Sequence, residues 1–304
     1  MVGNTKMKIF EKFGNFFDRH MSAFFVLPGF IIMGIIILYP IFSNIYISFT
    51  DMHLLKGISR FVGLNNYLAI IKDPNFWHSL YITLLWTVGS LILQLIFGLV
   101  SALLLNSPGL KAKGAFRIAI FIPYTLPTVV VILLWSWMLH PIYGIANHLL
   151  LSIGVIDAYA SWLGTATRAL PTLIVINTWF GYPLMTLSIL AGLQSIPEEF
   201  YEVAKIEGAS YWQTFINVML PSIKDIIITL IVLRTIWIFN AFDLVYLATG
   251  GGPGHATEIL TVYGYRIGWN EYQLGKAAAL SVILLVVILT LISFSTKVRE
   301  EGEE

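Results

Sequence analysis

Six long apolar runs constrain this chain more than any other feature. They lie at approximately Ala23–Phe49, Leu80–Leu105, Ala115–Leu139, Leu170–Leu193, Ile223–Leu247 and Ala277–Phe294. A run of about 18 or more such residues is long enough to cross a hydrocarbon layer as a helix. Inside lipid every backbone N–H and C=O needs an internal partner, and a helix supplies one for each. Composition agrees: 57% of residues are hydrophobic and 12% are charged, against about 25% charged in ordinary soluble domains. So few charges cannot cover the surface of a water-soluble globule of 304 residues. The expected fold is therefore all-α, a polytopic membrane protein with six transmembrane helices. The first run is too long for the apolar core of a signal peptide, and no small-residue cleavage site follows it. Cys is absent, which removes disulfides, thiolate metal sites and Cys nucleophiles, and a net charge of +1 makes no case for nucleic acid.

Positive charge near the ends of the runs predicts the orientation. With the N-terminus in the cytoplasm, Lys6, Lys8, Lys12, Arg19, Lys111, Lys113, Arg117, Lys205, Lys224, Lys297 and Arg299 lie inside. Lys56, Arg60, Lys72, Arg168, Arg266 and Lys276 lie outside, the smaller set. Six spans then return the C-terminus to the cytoplasm. The expected organisation is a cytoplasmic segment over 1–22, one membrane domain over 23–295 and a cytoplasmic tail over 296–304. Trp77, Trp162 and Trp269 fall in or beside the outer connections, as interfacial anchors or as plain packing.

The connection over about 194–222 is polar yet structured. Pro197 suits the first turn of a helix, and Glu198 and Glu199 suit the positive end of its dipole. Gly208 reads as the C-terminal stop, and Ser210 with Gln213 reads as the capping box of a second helix running to Pro221. The stretch Glu202–Pro221 reads EVAKIEGASYWQTFINVMLP. It resembles the signature loop of ABC importer permeases: Glu-Ala-Ala, three residues, Gly, nine residues, then Ile-x-Leu-Pro. Glu202, Ala204, Gly208, Leu220 and Pro221 match at that spacing, while Val203 and Val218 replace a small residue and an Ile.

The likeness extends over about 25–294 and is closest to the larger membrane subunits of maltose-type and glycerol-phosphate-type importers. Its landmarks include SFTD at Ser48–Asp51, FVGLNNY at Phe61–Tyr67, NTWFGYP at Asn177–Pro183 and ATGGGPGHAT at Ala248–Thr257. The resemblance implies a permease subunit of the cell membrane, forming half of a sugar-conducting pore with a second homologous permease. It also implies two copies of a cytoplasmic ATPase that hold ATP and Mg, and an extracytoplasmic sugar-binding protein. This chain would be no enzyme itself and would bind no cofactor. By the same resemblance the loop is a coupling helix. Glu202 would face a basic residue of the ATPase, Ala204 and Gly208 would allow close approach, and Val203, Ala209, Leu220 and Pro221 would belong to the same coupling surface. The acidic residues Glu198, Glu199, Glu202 and Glu207 argue against the plainer reading, a loop lying on an anionic membrane surface.

Polar groups inside the runs are costly and point to function. Gln94, Asn177, Thr178, Arg234, Asn240 and Asp243 stand out. Arg234, Trp237, Asn240 and Asp243 share the fifth run at spacings that keep them on one drifting helical face. A ring beside hydrogen-bonding side chains suits the apolar face and hydroxyl edge of a sugar. The structural alternative pairs Arg234 with a carboxylate and lets the Asn side chains bridge helices. By resemblance, the stretch around Phe180, Gly181 and Tyr182 and the middle of the fifth run line the sugar site. At the fifth-run positions where the maltose-type subunit has polar contacts, this chain has Arg234, Ile238 and Ala241. That departure argues against maltose itself, or moves sugar contacts to the partner. The alternatives are a permease for another polar solute such as glycerol phosphate, or an ion-coupled transporter for which Asp243 is the main carboxylate. No catalytic or filter motif and no phosphate loop occurs.

Overall fold

The computed structural model describes residues 21, 25–57 and 59–300, and the side chains of all of these but 291 and 294–300. All of the expected N-terminal segment but residue 21 lies outside the described residues, with Lys6, Lys8, Lys12 and Arg19, as does the end of the expected tail at 301–304. Among the described residues the chain is helical, with a lone antiparallel bridge between Thr50 and Phe61.

The long helices are α1 (Phe25–Ser48), α3 (Pro74–Asn106), α7 (Ala166–Gln194) and α13 (Leu274–Glu300). Between them lie α2 (Asn65–Lys72), α4 (Lys113–Thr125), α5 (Thr128–Met138) and α6 (Ile145–Ser152). After α7 come α8 (Glu198–Ile206), α9 (Tyr211–Ser222), α10 (Lys224–Phe239), α11 (Phe242–Thr249) and α12 (Leu260–Tyr265). A π turn at Arg266–Asn270 extends α12.

Helices α1, α3 and α7 are long and apolar enough to cross a membrane, and two bent pairs would raise the number to five. The sixth run supplies a shorter apolar stretch, Leu274–Thr290. The third run is not the single straight span expected from its hydropathy. It bends by 97° between α4 and α5. Pro127 is the cause: the residue before a proline is pushed out of the helical region, and Leu126 sits at φ −78°, ψ 139°. The fifth run is also interrupted. Asn240 ends α10 and Ala241 leaves helical geometry at φ −73°, ψ 62° before α11 begins.

The centre is a parallel pair, α3 beside α7, with α10 antiparallel to both. Ile82, Trp86, Leu170, Leu173 and Ile238 share one buried cluster, and Ala102, Leu105, Leu190, Leu193 and Leu230 share another farther along the same helices. Trp86 is fully buried and its indole N–H donates to the Ile238 carbonyl at 2.9 Å. Gly98 allows the α3–α7 approach, since a Cβ there would run into Met185. Small residues at such crossings are what lipid-embedded helix pairs select, because lipid tails provide no hydrophobic drive to bring helices together.

Helix α13 starts beside the beginning of α3. Asp73 caps α3 by accepting from the Asn75 N–H at 3.0 Å, and it also accepts from Lys276 at 3.1 Å and Tyr263 Oη at 2.7 Å. Burial pushes the Asp73 carboxyl up, but these hydrogen bonds and the Lys276 charge outweigh it and leave its pKa below the ordinary value. At the same end Glu258 is buried against Arg266 at 2.7 Å and His255 at 3.0 Å, which ties down the Gly-rich segment before it. Gly250, Gly251 and Gly254 all have positive φ there, and Gly252–Pro253 is cis. The opposite end of α7 leads into α8 and α9.

Candidate functional site

Two features are candidates for function: a cavity between the central helices and the exposed loop after α7. The cavity measures about 420 Å³ and is lined by Tyr124, Thr128, Asn177, Phe180, Arg234, Trp237, Asn240, Phe242 and Asp243, among others. It lies at the two interruptions. The bend between α4 and α5 brings Tyr124 and Thr128 to one wall, and the break between α10 and α11 brings Asn240, Phe242 and Asp243 to another. Interrupted helices leave room and free backbone groups where an unbroken helix would fill the space.

A polar junction of three helices sits behind this cavity. Arg234 of α10 is buried, and its Nε and Nη2 donate to Gln94 Oε1 of α3 at 2.9 and 2.6 Å. Gln94 Nε2 in turn donates to the Asn177 carbonyl of α7 at 2.9 Å. The guanidinium also lies over the Trp237 ring, 5.7 Å from its centroid. The carboxylate partner that a structural reading of Arg234 calls for is not what it meets; an amide oxygen takes that place. Gly181 makes the junction possible, because a Cβ there would overlap Arg234 Nη2 and come within 2.5 Å of Gln94 Cδ.

Six of the residues singled out from sequence meet at the cavity: Asn177, Phe180, Arg234, Trp237, Asn240 and Asp243. They do so although the single helical face proposed for the last four is broken at Ala241. Asn177 is 4% exposed and its Nδ2 finds no partner among the described residues. Asn177 is one of the cavity-lining residues, and an unpaired buried donor is costly. Asn240 spends its Nδ2 on the Ile236 carbonyl of its own helix at 2.9 Å. Thr178 does the same with the Ile174 carbonyl at 2.7 Å.

Gly181 and Tyr182 are not on the cavity wall. Gly181 acts by giving space, and Tyr182 packs its ring on Phe97 with centroids 6.4 Å apart. The cavity residues missed from sequence are Tyr124, Thr128, Phe242 and Leu244. The Pro123 and Pro127 pair was the available signal for the first two, since prolines so placed fold the third run back on itself.

In the loop, the Gly208 reading holds. Gly208 has φ +74°, the Ala209 N–H reaches the Ala204 carbonyl at 2.9 Å and the Gly208 N–H reaches the Lys205 carbonyl at 3.2 Å. That pattern closes α8 with a left-handed residue. Ser210 and Gln213 form the reciprocal capping box of α9. Pro197 stands one residue earlier than read, as the cap before Glu198. Glu202 and Val203 are exposed, as are Gly208, Leu220 and Pro221, while Ala209 is half-buried. Ala204 differs from the expectation that it opens close approach for a partner. It is 6% exposed and faces the chain's own interior, so its small size serves the packing of α8. Phe200, Val203, Ile206, Tyr211 and Trp212 of the same loop are exposed apolar side chains.

Comparison with known proteins agrees with this architecture. Residues 94–298 match the family model of the binding-protein-dependent transport system inner membrane component. The trehalose/maltose transport system permease protein MalF of Thermococcus litoralis is 35% identical over 276 residues, covering 90% of this chain and 92% of that one. The sulfoquinovosyl glycerol transport system permease protein SmoG of Agrobacterium fabrum is 33% identical over 271 residues, covering 89% and 87%. Among solved structures, a chain of a bacterial ABC transporter involved in the import of the acidic polysaccharide alginate superposes with a TM-score of 0.80. It is 23% identical, and the match covers 95% of this chain and 99% of that one. With the interrupted helices around one cavity and the Gly-hinged loop at the end of α7, these matches place the chain in the family of binding-protein-dependent transport system inner membrane components.

Proposed function

We propose that this chain is one of two pore subunits of an ATP-driven sugar importer in the cell membrane. The observation that carries the reading is the cavity at the interrupted helices. It sets the Tyr124, Phe180, Trp237 and Phe242 rings beside an unpaired Asn177 donor and the Asp243 carboxylate. Rings stack on the C–H faces of a pyranose, and the polar groups meet its hydroxyls. The names of relatives that carry trehalose, maltose and sulfoquinovosyl glycerol support a saccharide as cargo. In this reading the chain crosses the membrane six times with both termini in the cytoplasm. The loop from Glu202 to Pro221 docks on a cytoplasmic ATPase that holds ATP and Mg. A second permease completes the pore, and an extracytoplasmic binding protein delivers the sugar.

Uptake of labelled sugars by the complete importer tests the cargo. Asn177→Leu is expected to lower uptake by roughly 2- to 12-fold, the worth of one lost hydrogen bond of about 0.5–1.5 kcal/mol. Assembly should be unaffected, since the Asn177 amide nitrogen has no partner to lose among the described residues. Wild-type uptake in that variant would count against the cavity. Purification offers a second check: a chain that drives uptake with no ATPase subunit attached would favour the ion-coupled alternative, with Asp243 as its carboxylate.

Topology is tested by cysteine labelling, which has no background because the chain contains no Cys. Tyr159 and Glu199 are both exposed. Tyr159→Cys should react with an impermeant maleimide on intact cells, and Glu199→Cys should react only after lysis. The reverse pattern would overturn the orientation and the docking role of the loop together.

A further inference from the structure

The cavity has an aromatic extension that the sugar reading does not require and that no relative's name describes. Phe242, on the cavity wall, stacks on Tyr246 one turn along α11, with centroids 4.9 Å apart and planes 17° apart. Tyr246 meets Tyr265 of α12 with ring centroids 4.7 Å apart. Tyr265 also lies 5.2 Å from Phe242 and leads to Trp269 at 6.3 Å. Trp269 is 55% exposed and belongs to the π turn shortly before α13, near the end where Lys276 meets Asp73. Two pairs of rings, each spaced four residues apart, thus face each other and form a continuous strip. It starts in the cavity and ends at the exposed Trp269.

We infer that Phe242, Tyr246, Tyr265 and Trp269 form a stacking path along which a saccharide slides between the Trp269 end and the cavity. The inference rests on the sugar reading above and extends it. The chemistry fits a sugar better than a packed helix. Contacts between membrane helices favour small residues that let backbones approach, whereas this strip has four large rings, two of them with hydroxyls. Aromatic faces hold a pyranose through its C–H groups with little directional demand, so one ring can pass it to the next. Asp243, in the first turn of α11 and on the cavity wall, supplies a hydroxyl acceptor at the inner end. A strip of several rings also favours a saccharide of more than one unit, because such a chain can touch two rings at once.

The test uses the complete importer in proteoliposomes, with labelled trehalose and labelled maltotriose as probes. Tyr265→Leu and Trp269→Leu keep an apolar side chain but lose the ring face, and Tyr265→Phe and Trp269→Phe restore a ring. Each Leu variant is expected to raise the KM for uptake by roughly 2- to 10-fold, the worth of one aromatic contact. The loss should be larger for maltotriose than for trehalose, and the Phe variants should stay near wild type. Leu variants that transport both sugars like wild type would overturn the path while leaving the sugar reading intact. Leu variants that lose the second permease on purification would also overturn it, because the strip would then be a subunit interface. A wild-type importer that takes up neither of these sugars nor any other saccharide of a wider panel would remove the sugar reading and the path with it.

Discussion

Replacing Gln94 by Leu is expected to destabilise the folded permease by about 3–5 kcal/mol, the scale for stranding one member of a buried charged contact. Gln94 Oε1 accepts two of the Arg234 N–H groups, and no carboxylate bonds that guanidinium among the described residues. The Leu side chain has nearly the same volume and no acceptor, so the guanidinium loses its hydrogen-bonded oxygen and keeps the Trp237 ring. Arg234→Met should cost less, about 1–3 kcal/mol, because it strands a neutral amide oxygen rather than a charge. Combining Gln94→Leu with Arg234→Met should recover much of the loss, since neither side then wants a partner. Gln94→Glu should retain the fold by offering a carboxylate to the same N–H groups. Thermal unfolding of the purified complex, followed by fluorescence-detected size exclusion, reads all four. If Gln94→Leu melts at the wild-type temperature, the junction does not hold the three helices together.

The loop variants should show the other large effect, on coupling rather than on folding. Glu202→Lys reverses a charge on the exposed surface of helix α8, which also exposes Phe200, Val203 and Ile206. If that surface seats on a basic groove of the ATPase, the change should lower ATP-driven uptake by more than about tenfold, as losing one charge partner at an interface costs about 2–5 kcal/mol. Gly208→Val should be comparably harmful for a different reason. A Cβ at Gly208 meets nothing within 4 Å, so sterics with neighbours are irrelevant. The obstacle is φ +74°, a conformation that costs an L residue about 1–2 kcal/mol and a β-branched one more. The hinge between α8 and α9 would then reset its angle and move Glu202 off its target. Co-purification of the ATPase with uptake per ATP hydrolysed separates the cases. Normal coupling in both variants would remove the docking role from this loop.

Local chemistry explains which elements were legible. The Gly208 stop and the Ser210–Gln213 box depend on contacts within a few residues, so residue type and spacing suffice to find them. The apolar runs were legible because a membrane helix satisfies its own backbone, whatever its neighbours do. Runs three and five were read as unbroken because hydropathy averages over a window and is blind to a kink. Pro127 could have flagged the first break. Nothing at Asn240–Ala241 announces the second.

Residue content alone determined that this chain is a bundle of lipid-embedded helices, where its polar loop lies and which residue closes each loop helix, because those outcomes follow from burial of apolar runs and from short-range hydrogen bonds. Tertiary structure decided that Arg234 meets Gln94 rather than an acid, that Gly181 gives space to that pair, and that Ala204 packs inward. It also decided that Tyr124 and Phe242 join the cavity and that Tyr182 does not. Each of those depends on which face of one helix meets which face of another. Pairing between residues as distant in sequence as Gln94 and Arg234 is set by how three helices cross, and no window of sequence contains that crossing.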